Sequence, residues 1–488
     1  MRLVSTVRHL VARIRVAPSA PSTSRPSTRE RSPDGSKGHI APPLPSRPTL
    51  AARAPSLVEI EQVVLERFRP QIRQALQDEL DALAARASQD ARPMCCGKAM
   101  RRHDLRPVTC LAWMGSVRIS SWRYRCGICA RECRPLLQQL DVEPGRPSGL
   151  LARLLGLLGC VVSYPLAAEM AWQVLRVRVN AMTIWRAVQR LGEAAACHTE
   201  AMSAYHADAR SDVPQSPDAP AAVVVAVDGC CLGMQVRSKR RRRQRSDEAL
   251  ASLPPVEAGH FREVKTGVLL LPAERVALSP ERHALVRRVL VTCLGDADAI
   301  FSRLWAQLLE LGWWGANTVV VVVGDGSEWI WNRATQFAKR CEILDFWHAI
   351  EYAWDYARLQ FGEGSRSAER WVHRIAQDLK AGNVQGVIAR LKTLHPNSAE
   401  SRQALVALTK YYTDNAARMR YDEYLRLGYG IGSGAVESAH KQVVHARLRQ
   451  AGMRWSELGA RRLLALRLLL LNGDWAMTNR LRMVRLAA

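Results

Sequence analysis

The 488-residue sequence predicts a mixed α/β protein built round a buried sheet, and three stretches carry that prediction. Residues 318–326 read TVVVVVGDG, five valines running into Gly324, Asp325 and Gly326. A short, wholly apolar, β-branched run closed by glycine is a central strand covered on both faces. Residues 221–229, AAVVVAVDG, repeat the pattern and deliver Asp228 before a glycine. The third stretch, IGSGAVESAHK at 431–441, places Glu437 at the start of a helix. An Asp-Gly pair by itself marks a tight turn. Two such strands and a helical acid together point to chemistry at the open strand ends. Carboxylates from two strands and one helix are the donor set of a two-metal site that clamps a phosphoryl centre.

Charge names the class of partner. The chain carries a formal net charge of +25 and a pI near 10.2, which calls for a polyanion, either nucleic acid or an anionic membrane surface. No apolar run reaches the roughly 18 residues that a span needs. The longest candidate, 463–471, is interrupted by Arg467. Nucleic acid is therefore the expected partner and a membrane is not. Twelve cysteines in a chain of this length do not make a disulfide scaffold. Those between Cys95 and Cys133 read as a metal site in a reducing compartment. The scattered Cys160, Cys197, Cys230, Cys231, Cys293 and Cys341 read as small core residues.

Taken in order, residues 1–55 are rich in Arg, Pro and Ser and nearly free of acids, which predicts a disordered basic tail. Its first twenty residues share the composition of a transit peptide. Ser56 and Glu59 form a capping box that opens a helical segment over 56–90, with Pro70 expected to kink or split it. Residues 91–140 read as a zinc-ribbon-like module: cysteine corners bracket a hairpin of 108–113 and 117–124. The corner Cys126-Gly127-Ile128-Cys129 is complete. The first is broken, because Pro93 stands where its leading cysteine belongs, and the adjacent Cys95 and Cys96 are not both expected to ligate. The ligands expected are Cys96, Cys126, Cys129 and Cys133, with Cys110 and His103 as other sources of the fourth. Residues 148–210 read as a helix-turn-helix region, its second helix capped by Asn180 and carrying Thr183, Arg186, Gln189 and Arg190 along one side.

A polar link, 211–220, leads to the sheet. The Asp228 strand is followed by RSKRRRRQR at 237–245, where Arg240, Arg241, Arg242 and Arg243 are expected to bind phosphate. Strands follow at 263–271 and 288–294, then a helix at 296–311, the Asp325 strand, a helix at 328–339 and a strand at 341–344. Three neighbouring strands, a helix, the strand with the second acid, a helix and a fifth strand is the order of the ribonuclease H fold, its first part spanning 221–349. A helical insertion over 350–428 then precedes the catalytic and C-terminal helices of 429–475 and a tail, 476–488.

Four stretches, VDG at 227–229, GDGSEWIWN at 324–332, LDFWHAIEYAW at 344–354 and GIGSGAVESAHKQVVHARLRQAGMRW at 430–455, resemble the ISKra-type transposases of bacterial insertion sequences, within the group that includes Mutator-like elements. The likeness runs from about residue 90 to 475. It implies a DDE transposase in which Asp228, Asp325 and Glu437 hold two Mg2+ (or Mn2+) ions, with one structural Zn2+ in the ribbon. The family's ribbon has two complete cysteine corners, and here the first departs from that pattern. Asp345 and His348 match the family's D-x-x-H motif, with His348 orienting the scissile phosphate or protonating a leaving oxygen. The resemblance also implies double-stranded DNA as partner (element ends and target), a homo-oligomer, at least a dimer, on DNA, and a bacterial cytoplasmic, nucleoid-associated location.

The glycines at 430, 432 and 434 would let backbone approach DNA, and the helix that opens there favours phosphate. Lys441 is read as a phosphate contact or as the i,i+4 partner of Glu437. Arg447, Arg449 and Arg454 extend the basic face. Two other readings compete: a catalytically inactive, transposase-derived DNA-binding protein, and another ribonuclease H-like nuclease. The intact acid triad argues against the first. The DNA-binding modules ahead of the core argue against the second.

Overall fold

The computed structural model describes residues 56–208, 216–235, 260–279 and 282–481. The expected N-terminal tail, Arg240 to Arg243 and residues 482–488 of the expected C-terminal tail lie outside the described residues. The chain divides into two compact units, Met1–Val64 and Leu65–Ala488. The described part of the first is the start of helix α1 (Leu57–Ala87), where the capping box forms: Glu59 N donates to Ser56 Oγ (3.3 Å) and Ser56 N to Glu59 Oε2 (2.6 Å).

In the second unit α1 continues through Pro70 as one helix, so the helix is not split there. Both Pro70 and Glu66, whose carbonyl loses its hydrogen bond, are exposed, so water can satisfy that carbonyl. Two short strands, β1 (Met94–Cys95) and β2 (Lys98–Ala99), precede the hairpin of β3 (Arg101–Ala112) and β4 (Gly115–Arg125), and β5 (Glu132–Cys133) adds to β4. The hairpin's apolar face, Val108, Cys110, Val117 and Ile119, closes on Leu80 of α1 and on Leu136 and Leu137 of α2 (Pro135–Gln139).

Three helices follow: α3 (Gly149–Val161), α4 (Tyr164–Leu175) and α5 (Ala181–Asp208). Arg176, left-handed at φ 55, ends α4, and Asn180 caps α5 by accepting from Thr183 N (2.9 Å). Over 28 residues α5 is twice as long as the helix expected at 180–193, because its buried stripe continues through Leu191, Ala194 and Ala195.

The centre of the molecule is a mixed five-stranded sheet in the order β10-β7-β6-β11-β12. Strands β6 (Ala222–Gly233), β7 (Phe261–Leu270) and β10 (Val289–Leu294) are antiparallel neighbours. A small hairpin, β8 (Arg275–Ser279) and β9 (Arg282–Leu285), interrupts the chain between β7 and β10. Helix α6 (Ala297–Glu310), capped by Asp296, carries the chain back so that β11 (Val319–Gly324) lies parallel to β6. After α7 (Glu328–Ala334), β12 (Arg340–Leu344) lies parallel to β11. Val320 to Val323 point alternately to the two faces, and each is at most 1% exposed, so both faces of the sheet are covered as the valine run predicts.

Residues 346–426 are helical: α8 (Phe346–Phe361), α9 (Arg366–Lys380), α10 (Val384–Lys392), α11 (Ala399–Asn415) and α12 (Tyr421–Arg426). The chain then returns to the sheet through α13 (Gly434–His440). This helix runs on through a π-helical turn, Lys441–His445, to Leu448, and α14 (Glu457–Leu471) packs against α5 and β10.

Candidate catalytic site and metal centre

Asp325 follows the end of β11, whereas Asp228 lies inside β6, which runs on to Gly233 paired with β7 and so extends past the strand end that the sequence suggested; the two acids lie at one level. Strand β11 pairs with β6 with Val319 opposite Ala222 and Val323 opposite Ala226, and the same 97-residue offset separates the two acids (325 − 228 = 97). They therefore stand at the same edge of the sheet. Asp228 Oδ1 accepts from Gly229 N (2.6 Å), and its Oδ2 lies 3.4 Å from His440 Nδ1. The Asp325 carboxylate accepts from Ser327 N (3.0 Å) and Ser327 Oγ (3.1 Å), and its carbonyl from the Tyr411 hydroxyl (2.6 Å). Gly326 needs to be glycine: its φ is +95, and a Cβ would meet the Tyr411 ring at 2.9 Å.

Glu437 rides on α13, which packs across β6 and β7. Its carboxylate is exposed, 4.0 Å from Lys441 Nζ. The three acids do not draw together into a cluster with ligand atoms all within 4.8 Å; each turns to its own local partners, as mutually repelling charges do. All three offer hard oxygen donors, which fit Mg2+ or Mn2+ rather than Zn2+.

A buried network joins the two sides of this edge. Asp345, fully buried, caps α8 by accepting from Trp347 N (2.7 Å). It also accepts from Ser433 N (3.0 Å) and the Ser433 hydroxyl, just ahead of the Glu437 helix, and lies 3.2 Å from His348 Nδ1. Asp345 N in turn donates to the carbonyl of Gly324, beside Asp325 (2.7 Å). Burial works to raise the Asp345 pKa, but the bonds from His348, Ser433 and Trp347 N outweigh it and hold the carboxyl below its ordinary range. The Asp345 bond lifts His348 to about 9, against the opposing effect of burial, and the Asp325 charge adds to the rise. His440, although buried, is raised to about 9 by the Asp228 carboxylate and the Cys230 thiol beside it. Ser433 and His440 escaped the sequence reading. They lie four residues before and three after Glu437, but their partners, Asp345 and Asp228, are distant in the chain.

The hairpin module brings four thiols together, and they differ from the expected set. Cys95, Cys96, Cys126 and Cys129 have sulfurs all within 4.8 Å of one another. Cys133 stands outside, its thiol 3.5 Å from Met100 Sδ. Cys110 is buried in the hairpin's apolar core, and His103 lies 3.1 Å from Arg123. The adjacent Cys95 and Cys96 do share the site, because Cys96 takes a left-handed φ of 48 that turns both thiols to one side. Contacts of 3.9 Å (Cys95–Cys96) and 3.6 Å (Cys95–Cys129) match the roughly 3.8 Å edge of a tetrahedral four-thiolate zinc site. Backbone bonds from Cys129 and Ile128 lower Cys126 to about 6.

The basic residues divide. Arg186, Lys441, Arg449 and Arg454 are exposed. Arg454 lies beside Gln235, the last described residue before the basic run. Arg447 and Arg190 are buried, which corrects the expectation that they bind DNA. Arg447 donates through Nε to Gly159 O (3.0 Å) and stacks over Tyr164 and Trp455. Arg190 reaches Glu143 (3.2 Å). Among the scattered cysteines, Cys160 and Cys293 are buried, whereas Cys197 and Cys231 are exposed. No family model matches this chain, and comparison with curated proteins gives no match.

Proposed function

We propose that the chain is a DDE-type DNA transposase of the ISKra-like kind, which binds the ends of an insertion sequence and carries out strand cleavage and 3′-hydroxyl strand transfer. The observation that carries this reading is the pairing of Asp228 and Asp325 at one sheet edge, with the Glu437 helix bonded to Asp228 through His440. The sheet order, with its first three strands antiparallel and the next two parallel, agrees with a ribonuclease H-like core interrupted by the helices of 350–428. The charge of +25 supports a polyanionic substrate, read here as double-stranded DNA, with α4 and α5 as a helix-turn-helix whose exposed Arg186 faces outward; the resemblance adds a dimer on that DNA.

Asp228, Asp325 and Glu437 would hold two Mg2+ or Mn2+ ions, which activate the attacking oxygen and stabilise the leaving one. The chain's own groups do the rest. Asp345 fixes the Gly324 end of β11 and the Ser433 entry to α13, so the edge is preorganised. With Nδ1 of His348 turned to Asp345, its Nε2 is left to donate to a phosphate oxygen or to the leaving 3′ oxygen. Lys441, Arg449 and Arg454 attract the backbone.

The deciding experiment is strand cleavage of a labelled element end with Mg2+, comparing wild type with Asp325→Asn. Metal-dependent nicking at the element tip, lost in the variant, is the expected result. Tight DNA binding with no cleavage by either protein, in Mg2+ or Mn2+, would instead identify a transposase-derived DNA-binding protein.

A further inference from the structure

His440 is an expensive residue to place where it is. It is 5% exposed, between α13 and the sheet, where a leucine would pack without desolvating a polar ring. Its Nδ1 lies 3.4 Å from Asp228 Oδ2, and its buried Nε2 has no hydrogen-bond partner among the described residues. It stands one helical turn after Glu437, on the same helix, while Asp228 belongs to β6. One side chain thus ties the helix of one acid to the strand of another. Gly229 N holds the other Asp228 oxygen, so the carboxylate is oriented from both sides.

We propose that His440 is a positioning residue: it orients the Asp228 carboxylate and fixes Glu437 relative to it, so that the acids bind a divalent cation together. This rests on the acid-site reading above. Partners that orient a metal-binding group typically alter affinity by about 10–100-fold when removed.

The test uses the full chain, first saturated with zinc, and measures Mn2+ binding by the loss of the free-ion spin-resonance signal. His440→Asn places an amide N–H where Nδ1 was, and His440→Gln places it where Nε2 was. The two are alike in polarity and differ in which contact they keep. We expect His440→Asn to bind Mn2+ within about threefold of wild type and His440→Gln to bind at least about tenfold more weakly. Thermal midpoints of the two variants and their affinities for a labelled duplex in EDTA should agree. Equal Mn2+ affinity in wild type and His440→Gln overturns the proposal and leaves the acid site standing. Equal losses in both variants, with a matching fall in thermal midpoint, show packing alone and also overturn it. Wild type with no Mn2+ binding sensitive to Asp325→Asn overturns the acid site, and His440's role with it.

Discussion

The buried carboxylate of Asp345 decides more contacts than Asp228 or Asp325. Replacing it by alanine leaves the Ser433 and Trp347 amides without their acceptor in a buried place, a loss of about 3 kcal/mol in urea denaturation. The same pair sets a pH window. His348 is raised to about 9, so its contribution is complete below its unfolded value of about 6.5 and is lost as pH rises through about 9. Asp345 is depressed, so its contribution is present above about pH 3.9 and is lost as pH falls through its lowered folded value. Unfolding midpoints of wild type and Asp345→Ala should therefore differ most between those limits; above about pH 9 the gap narrows only by the His348 part, because the ionised carboxylate keeps the Ser433 and Trp347 amides, and it narrows again as pH falls through the lowered Asp345 value. His348 was legible in the sequence through the D-x-x-H motif of the family that the chain resembles. The Asp345 partner Ser433 was not, because the bond spans 88 residues.

Among the elements, the cysteine module shows how far spacing can be trusted. The corner at 126–129 was readable because two residues between cysteines aim both thiols inward. The broken corner misled, since the left-handed turn at Cys96 is a local backbone choice that Pro93 gave no sign of. Metal content by mass spectrometry separates the two ligand sets. One zinc per chain is expected in wild type and in Cys133→Ser, and a loss of most of it in Cys95→Ser. Helix α5 carries the same lesson. Its N-cap at Asn180 was visible, but its length is set by α14, whose Arg462 bonds Glu193 (2.6 Å) and Gln189 (3.2 Å) from about 270 residues away.

Across the whole molecule, the proposed reading and the charge of +25 predict strong, salt-sensitive DNA binding, and the structure shows which arginines are exposed enough to take part. Arg449→Ala and Arg454→Ala should each reduce the slope of log affinity against log salt by about one, with thermal stability unchanged. Arg447→Ala should leave the slope alone and cost about 3 kcal/mol of stability, because it strips the Gly159 carbonyl of its donor and opens space against Tyr164 and Trp455. An Arg447→Ala protein of normal stability with a reduced salt slope would restore it to the DNA-binding face.

The sequence by itself determined the covered valine strands, Asp325 at the end of one of them, the complete cysteine corner and the sign of the charge. Each is local: strand period, turn residues and composition act within a few neighbouring positions. The tertiary structure alone decided that Cys95 rather than Cys133 joins the thiols, that Arg190 and Arg447 turn inward, and that His440 and Ser433 brace the acids. Those outcomes depend on which segments pack together. A long cationic side chain reads the same in sequence whether it faces water or a carbonyl 288 residues away.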